Sequence, residues 1–503
     1  MSGGLLALLG LLSDDLPALQ VAVPLLTAAV CMVLRRARVA WALAMVVAWA
    51  AFADACVIFA RVWRSGTISY AEGGWPAPWG IELRIDLLNA LVLLVVTAIS
   101  AIVLTASPRS LDQEVWREHQ PKFYALYLLC MTGLAGMTIT GDAFNVFVFL
   151  EISSLSAYAL IAQGTSRRAL TSAIQYLVMG TIGGTFILLG IGMIYMVTGT
   201  LNIADLAVRL AAVGPNRTVL VALACIGVGT AIKLAVFPLH IWLPNAYTYA
   251  PAIVTAFLAA TATKVAYYVL VRFVFSVFGA PLAFAELRLD AVLMPAAIAA
   301  MFVGSIVAIF QDDIKRMLAY SSVAQVGYMV LGLSFVSVSG LTGGLVHLFN
   351  HALMKCALFL VMAAVLLRTG STRIEAMAGL GRRMPWTMAA FVAAGLSLIG
   401  VPLTVGFVSK WYLVVGALEA GLWPVAVLIL LSSLLALIYV WRVVEVAYFR
   451  EPADDAPTAV EAPFSLLGPI WVLAGATVFF GIFTSLSVGT ASAAARMLLG
   501  VGP

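Results

Sequence analysis

Glu151, Lys233, Lys264, His347, His351, Lys355 and Lys410 all stand inside long apolar runs of the sequence. In hydrocarbon each such side chain costs about 3 kcal/mol or more, so pairing or hydration must offset them. Both imply a polar path, and the chemistry that path supports is proton exchange. Glu151, in GDAFNVFVFLEISSLSAYAL, lies nine residues after Asp142. A helical rise of about 1.5 Å per residue sets it roughly 13 Å below the helix start, near mid-membrane. Its natural partner is Lys233, which precedes Pro238. A carboxylate beside an ammonium favours the charged lysine, and withdrawing the carboxylate lets the lysine release its proton. The competing reading is a static ion pair that fixes helix packing; intramembrane charges are functional by default, which favours exchange.

Lys264, in TATKVAYYVL, is thirteen residues past Pro251 and also deep. It is placed to take a proton from Lys233 through water, and depth argues against the alternative of snorkelling. His347, His351 and Lys355, in LVHLFNHALMKCALFL, repeat every four residues and share one helical face about 12 Å long. Histidine titrates near neutral pH, which suits a relay. His-x3-His is also a metal-ligand spacing, but that face carries no neighbouring carboxylate or cysteine, so no metal is expected. Hydrogen-bonded core histidines are the other reading. Lys410, in GFVSKW, is expected to be the terminal proton site near the far exit, against an interfacial lysine closing a helix end. His240 fits either a gate between Lys233 and the aqueous side or a plain cap residue, and that stays open. Asp54 has no assigned role; a neighbouring subunit or a peripheral arginine could pair with it. Asp312, Asp313, Lys315 and Arg316 are expected in a solvated loop, and Tyr70, Trp75 and Trp79 as interfacial anchors.

The elements that hold these groups follow from composition. The 503 residues are 63% hydrophobic and 10% charged, with a mean hydropathy of +1.07. A soluble domain carries about a quarter charged residues, so a soluble enzyme is excluded. Fourteen candidate helical spans are expected, at 16–34, 40–62, 85–106, 122–140, 143–163, 170–198, 218–237, 251–278, 289–310, 317–338, 341–367, 384–412, 421–447 and 464–490. The fold class is therefore all-α and polytopic. The net charge of +5 is no nucleic-acid signal, because the basic residues sit in short connections. Arg35, Arg36, Arg38, Arg167, Arg168, Arg382 and Arg383 belong to the more basic set of connections, which places both termini outside. The N-terminus lacks a basic flank, so no removable signal peptide is expected. The five cysteines lie in apolar stretches without a CxxC and are expected to be small buried residues. No nucleotide or other cofactor motif is present, so no cofactor is expected.

Two spans are interrupted. The seventh, GTAIKLAVFPLHIWLP, contains Pro238 and Pro244; the twelfth, SLIGVPLTVGFVSKW, clusters Gly400, Pro402 and Gly406. Pro removes a helix hydrogen bond, and broken backbone is tolerated in a bilayer only inside protein or beside a water-filled cavity. Two such breaks, each close to a lysine, predict two inverted five-helix repeats of about helices 4–8 and 9–13. The expected division is 1–121 (helices 1–3), 122–278 (first repeat), 279–447 (second repeat) and 448–503 (a loop and helix 14).

These segments resemble the antiporter-like subunits shared by respiratory complex I, membrane-bound hydrogenases and Mrp-type cation/proton antiporters. GDAFNVFVFLEI is similar to the fifth-helix glutamate motif, and KLAVFPLHIWLPNAYTYAP to the broken seventh helix with its lysine. DDIKRMLAYSSVAQVGYM resembles the start of the tenth helix and HLFNHALMKCALFL the histidine–lysine helix. The resemblance implies Glu151 and Lys233 as a modulating pair, Lys264 and the His347/His351 region as relay, and Lys410 as the twelfth-helix site. It implies an inner-membrane transporter subunit working with other membrane subunits on protons and Na⁺. GDAFNVFVFLEI is most similar to the D-type subunit of Mrp antiporters. One complex I member carries glutamate where Lys410 stands, which disfavours that member. The stretch after span fourteen is short, so neither the lateral helix of the largest complex I subunit nor the extended C-terminus of the A-type Mrp subunit is expected. A pumping subunit of complex I, part of an NADH:quinone oxidoreductase, or of a membrane-bound hydrogenase is the alternative. A structural scaffold with idle charges is a third.

Overall fold

The structure, a computed structural model, describes residues 15–452 and 459–502. Its helices are α1 Leu16–Val33, α2 Ala37–Ser65, α3 Leu87–Glu114, α4 Gln120–Ile139, α5 Ala143–Ala162, α6 Arg167–Thr198, α7 Ile203–Val213, α8 Arg217–Leu234 and α9 Trp242–Tyr249. They continue as α10 Ala252–Val271, α11 Leu289–Ile309, α12 Ile314–Ser334, α13 Val338–Thr369, α14 Pro385–Ile399, α15 Val405–Glu419, α16 Trp423–Phe449, α17 Phe464–Ile482 and α18 Ser485–Leu499. Among the described residues, 13 helices are long and apolar enough to cross a membrane. The twelfth expected span is the broken pair α14–α15, whose first half, Pro385–Ile399, is a shorter apolar helix. This is the all-α polytopic architecture expected from composition.

Side-chain caps fix many of the helix starts. Asp142, Ser166, Asn216, Asp313 and Ser337 each accept a backbone N–H from the first turn that follows, and Asp86 forms a reciprocal capping box with Asn89 at the start of α3. Such caps satisfy donors that the helix itself cannot. Both expected breaks are present. α8 stops where Ala235 turns left-handed, and the Phe237–Pro238 peptide is cis. α14 stops at Gly400, whose φ of +93° an L side chain rarely adopts.

α13 is the hub of the bundle, packed against α3, α10, α12, α14, α15, α17 and α18. α3, α4, α10, α12 and α13 are the inner helices, whereas α1, α2, α6 and α16 expose apolar faces that include Leu26, Val33, Leu170 and Leu434.

Four expectations need correction. Span fourteen is not one helix over 464–490: α17 ends at Ile482, and α18 is a separate helix against α13 and α3. The connection before span three contains an antiparallel hairpin, β1 Ile68–Ala71 and β2 Glu82–Ile85, with Ile68 opposite Ile85. Its buried Glu82 accepts from Ser69 Oγ at 2.6 Å and Asn202 Nδ2 at 2.8 Å, which ties the hairpin to the start of α7. Lys315 is not solvated: it is buried in the first turn of α12 and donates to Ala250 O at 2.6 Å. Finally, Cys31, Cys130 and Cys356 are buried, but Cys56 is exposed and Cys225 half-buried, because an apolar run in a membrane helix has an outward face too. Trp75 and Trp79 are exposed in the loop that joins β1 to β2.

Candidate functional site: a buried charged axis

Glu151 and Lys233 meet as their positions suggested. Glu151 Oε1 lies 3.7 Å from Lys233 Nζ, with the carboxylate side chain 25% exposed and the lysine enclosed. Lys233 also donates to Ser154 Oγ at 2.8 Å and Tyr158 OH at 3.4 Å. Glu151, Ser154 and Tyr158 are spaced three and four apart, so α5 presents all three on one face. α6 accommodates that face with a glycine: a Cβ at Gly184 would collide with Glu151 Oε1. Lys233 occupies the last turn of α8, where the unpaired carbonyls at a helix C-terminus favour a cation. Trp242 Nε1 donates to Ile232 O at 2.9 Å and bridges the break, and its ring stacks on Tyr176 at 3.9 Å. His240 stacks on Phe237 beside the break, and its Nδ1 has no hydrogen-bond partner.

A cavity of about 30 Å³ lies between Lys233 and the Leu258, Ala262 and Ala266 face of α10, with Ser153 and Ser154 in its lining. It is polar enough and large enough for a water molecule. Lys264 does not face it. Two residues from both Ala262 and Ala266, Lys264 projects about 200° around the helix from each. Its ammonium donates to Ala259 O and to Thr263 Oγ1, the latter at 3.3 Å. The structure thus brings Lys264 toward α13 rather than against Lys233, with His351 and Lys355 in its electrostatic range.

Along α13, His347, His351 and Lys355 are fully buried and share one face. The two imidazole rings lie 6.0 Å apart and nearly parallel. His347 Nδ1 is 2.9 Å from Ser409 Oγ, while His347 Nε2 and both ring nitrogens of His351 have no protein partner. Lys355 donates to Leu318 O at 2.7 Å and to Ser321 Oγ of α12. Tyr267 OH, Gln325 Oε1, Thr342 Oγ1 and Asn350 Oδ1 are likewise buried and unpartnered. Buried polar atoms in native proteins find partners in protein or water, so this concentration marks where water is needed.

Lys410 closes the row. It donates to Ile399 O at 2.6 Å and Leu398 O at 3.2 Å, and its ammonium lies 4.9 Å from the centre of the Tyr328 ring. Tyr328 in turn lies 5.4 Å from the His347 ring. Gly400 leaves room for the lysine stem, since a Cβ there would press on Lys410 Cδ at 2.9 Å.

Glu114 escaped the sequence reading. Its carboxylate accepts from Ala252 N at 3.0 and 3.1 Å and from Ser110 Oγ at 3.1 Å, in electrostatic range of Lys315. Glu114 and Lys315 therefore grip the two ends of the Ala250–Ala252 link between α9 and α10. The charged stretch around Glu114 resembles a solvated connection; the apolar runs on both sides of it were the only available hint. Asp54 Oδ1 is buried without a partner.

The fold and these groups define a class: a polytopic membrane protein with two broken helices and a buried row of one carboxylate, lysines and histidines, suited to carrying ions. Residues 140–436, which include every member of that row, match the NADH:quinone oxidoreductase/Mrp antiporter, TM, family, and the chain belongs to it. It is 46% identical over 493 residues to NADH-quinone oxidoreductase subunit N of Desulforudis audaxviator, covering 94% of this chain and 96% of that protein. It is 31% identical over 420 residues to the D-type subunit of a Na(+)/H(+) antiporter of Alkalihalophilus pseudofirmus, covering 84% of each. A chain in the structure of the Mrp complex from Dietzia sp. DQ12-45-1b superposes with a TM-score of 0.89 at 28% identity, over 97% of this chain and 98% of that one. The protein is thus a multi-pass inner-membrane member of a family that includes subunits named for both assemblies.

Proposed function

We propose that this chain is a proton-translocating subunit of a multisubunit Mrp-type monovalent cation/proton antiporter, with Na⁺ as the cation. The observation that supports the proton path is the Glu151–Lys233 pair at 3.7 Å together with the buried polar atoms without protein partners around His347 and His351. Protons are exchanged at Lys233 under the control of Glu151. They pass through the water-sized cavity and around α10 to Lys264, then along Lys355, His351 and His347 to Lys410. His240 sits beside the first break, where access to Lys233 is set. The two repeats are 122–278 and 279–447, flanked by 1–121 and 448–503, and both termini face outside.

A second reading keeps the same path but assigns it to a redox-driven assembly of the complex I or membrane-bound hydrogenase type. The 46% identity with a relative named NADH-quinone oxidoreductase subunit N favours it. Purification from native membranes separates the two: small membrane subunits alone support the antiporter, and iron–sulfur or flavin partners support the second reading. For either assembly, proton movement into membrane vesicles tests the path. Glu151→Ala and Lys233→Ala are expected to abolish it with the complex still assembled; wild-type movement in both variants would favour a purely structural role.

A further inference from the structure

At the hairpin end of the bundle a second set of buried charges lies outside that row. A cavity of about 280 Å³ opens there between the hairpin, α3, α10 and α18, with Arg84, Asp86, Asn89, Tyr268, Arg272 and Ser276 in its lining. Asp86 and Arg272 form an ion pair at 2.8 Å, with both side chains about nine-tenths covered. Arg272 also donates to Asn89 Oδ1 at 2.7 Å and Ser276 Oγ at 3.2 Å, and its guanidinium lies over the Tyr268 ring at 5.4 Å. Beneath, Asn89 Nδ2 donates to Tyr268 OH at 2.8 Å, and that hydroxyl donates to Thr138 O at 3.0 Å. The three charged groups lining the cavity are Arg84, Asp86 and Arg272.

Lys264 and Tyr268 lie four apart in α10 and Arg272 four further on, in the π-helical turn Arg272–Val277 that continues it, so the ion pair lies about 12 Å along the axis from the lysine. Tyr268, which lines the cavity, stands between Arg272 and Lys264 in that series. A pair needed only for packing gains little from burial and has no use for a solvent-sized space beside it. We propose that Asp86, Arg272 and Tyr268 form a gated aqueous mouth joining Lys264 to the solution on the hairpin side. This rests on the proton-path reading above. When Tyr268 moves aside, water links the two groups: Lys264 gives up a proton, the Asp86 carboxylate takes one, and release to cavity water as hydronium restores the Asp86–Arg272 pair.

The test uses the assembled complex in membrane vesicles. Asp86→Asn keeps the size of the side chain and is an equally good helix N-cap, so α3 keeps its start while the proton-accepting charge is lost. Proton transport is expected to fall about tenfold and its pH profile to change. Ser276→Cys, in a Cys56→Ser background, is expected to react with the membrane-impermeant reagent MTSET from one face only. That reaction is expected to cut transport several-fold relative to the same unreacted variant. A normal rate and pH profile in Asp86→Asn, no reaction from either face, or full transport after reaction would each overturn the mouth. Lys233→Ala run in parallel separates the two readings. If it is inactive while the mouth variants are normal, the mouth alone fails; if it too is normal, the proton path itself fails.

Discussion

The ammonium of Lys410 lies 2.6 Å from the carbonyl oxygen of Ile399, the last residue of the half-helix that precedes the break. Lys233 occupies the last turn of the other half-helix that ends at a break. Each broken span thus places a lysine against the negative end of a helix dipole, worth up to about 2 kcal/mol in a partly buried setting. That common placement explains why the breaks and the lysines occur together. It also sets each ammonium in an environment that can change if the half-helix shifts.

Charge and proton exchange at these lysines can be separated. Arginine keeps the positive charge and the donors but does not release a proton in proteins. Lys410→Arg is therefore expected to assemble normally and to lose at least tenfold in proton transport, measured as acidification or alkalinisation of vesicles. Transport near the wild-type rate would mean that Lys410 acts only as a fixed charge.

Gly184→Ala tests the seat of Glu151. In a helix interior this substitution ordinarily stabilises by roughly 0.5–1 kcal/mol, yet here the new Cβ runs into Glu151 Oε1. The carboxylate must leave its position 3.7 Å from Lys233. Proton transport is expected to drop several-fold while thermal stability of the purified complex is maintained or falls slightly. Unchanged transport would show that the spacing of the pair is unimportant.

His351 has neither ring nitrogen bonded to protein, so its partners on the proposed path are water. His351→Leu removes every polar site and is expected to reduce transport at least tenfold; His351→Gln retains polar atoms and is expected to keep part of the rate. Transport at the wild-type rate in His351→Leu would separate His351 from the hydrated path.

Much of this was legible because charge inside an apolar run is costly. That cost singled out Glu151 and Lys233 as partners though they are 82 positions apart, and Pro238 and Gly400 marked the breaks. The direction of Lys264 was not legible, since depth along a helix says nothing about which neighbour a side chain meets. Lys315 misled for a related reason: in QDDIKRM it sits among charges that resemble a solvated loop, and only packing decides which of them turns inward. The end of α17 at Ile482 falls in FFGIFTSLSV, an apolar stretch without proline, so nothing local distinguished two helices from one.

Glu114 and Lys315 provide a stability test. Glu114→Ala removes the acceptor of the Ala252 N–H and one of the two carboxylates near buried Lys315, the other being Asp313. Leaving a buried donor unsatisfied costs roughly 1–3 kcal/mol, so a lower unfolding temperature or reduced assembly is expected in detergent. Glu114→Gln keeps an acceptor oxygen for Ala252 and is expected to lose less. If both variants are as stable as the wild type, the grip on the link between α9 and α10 has no energetic weight.

The most direct measurement is the rate of proton movement across vesicles that contain the whole complex with Lys233→Ala, alongside a check that every subunit is present. A row of side chains handing protons to one another is broken by losing its first lysine, and the rate is then expected to fall to the level of vesicles lacking the complex. A fully assembled variant moving protons at the wild-type rate would contradict the proposed path.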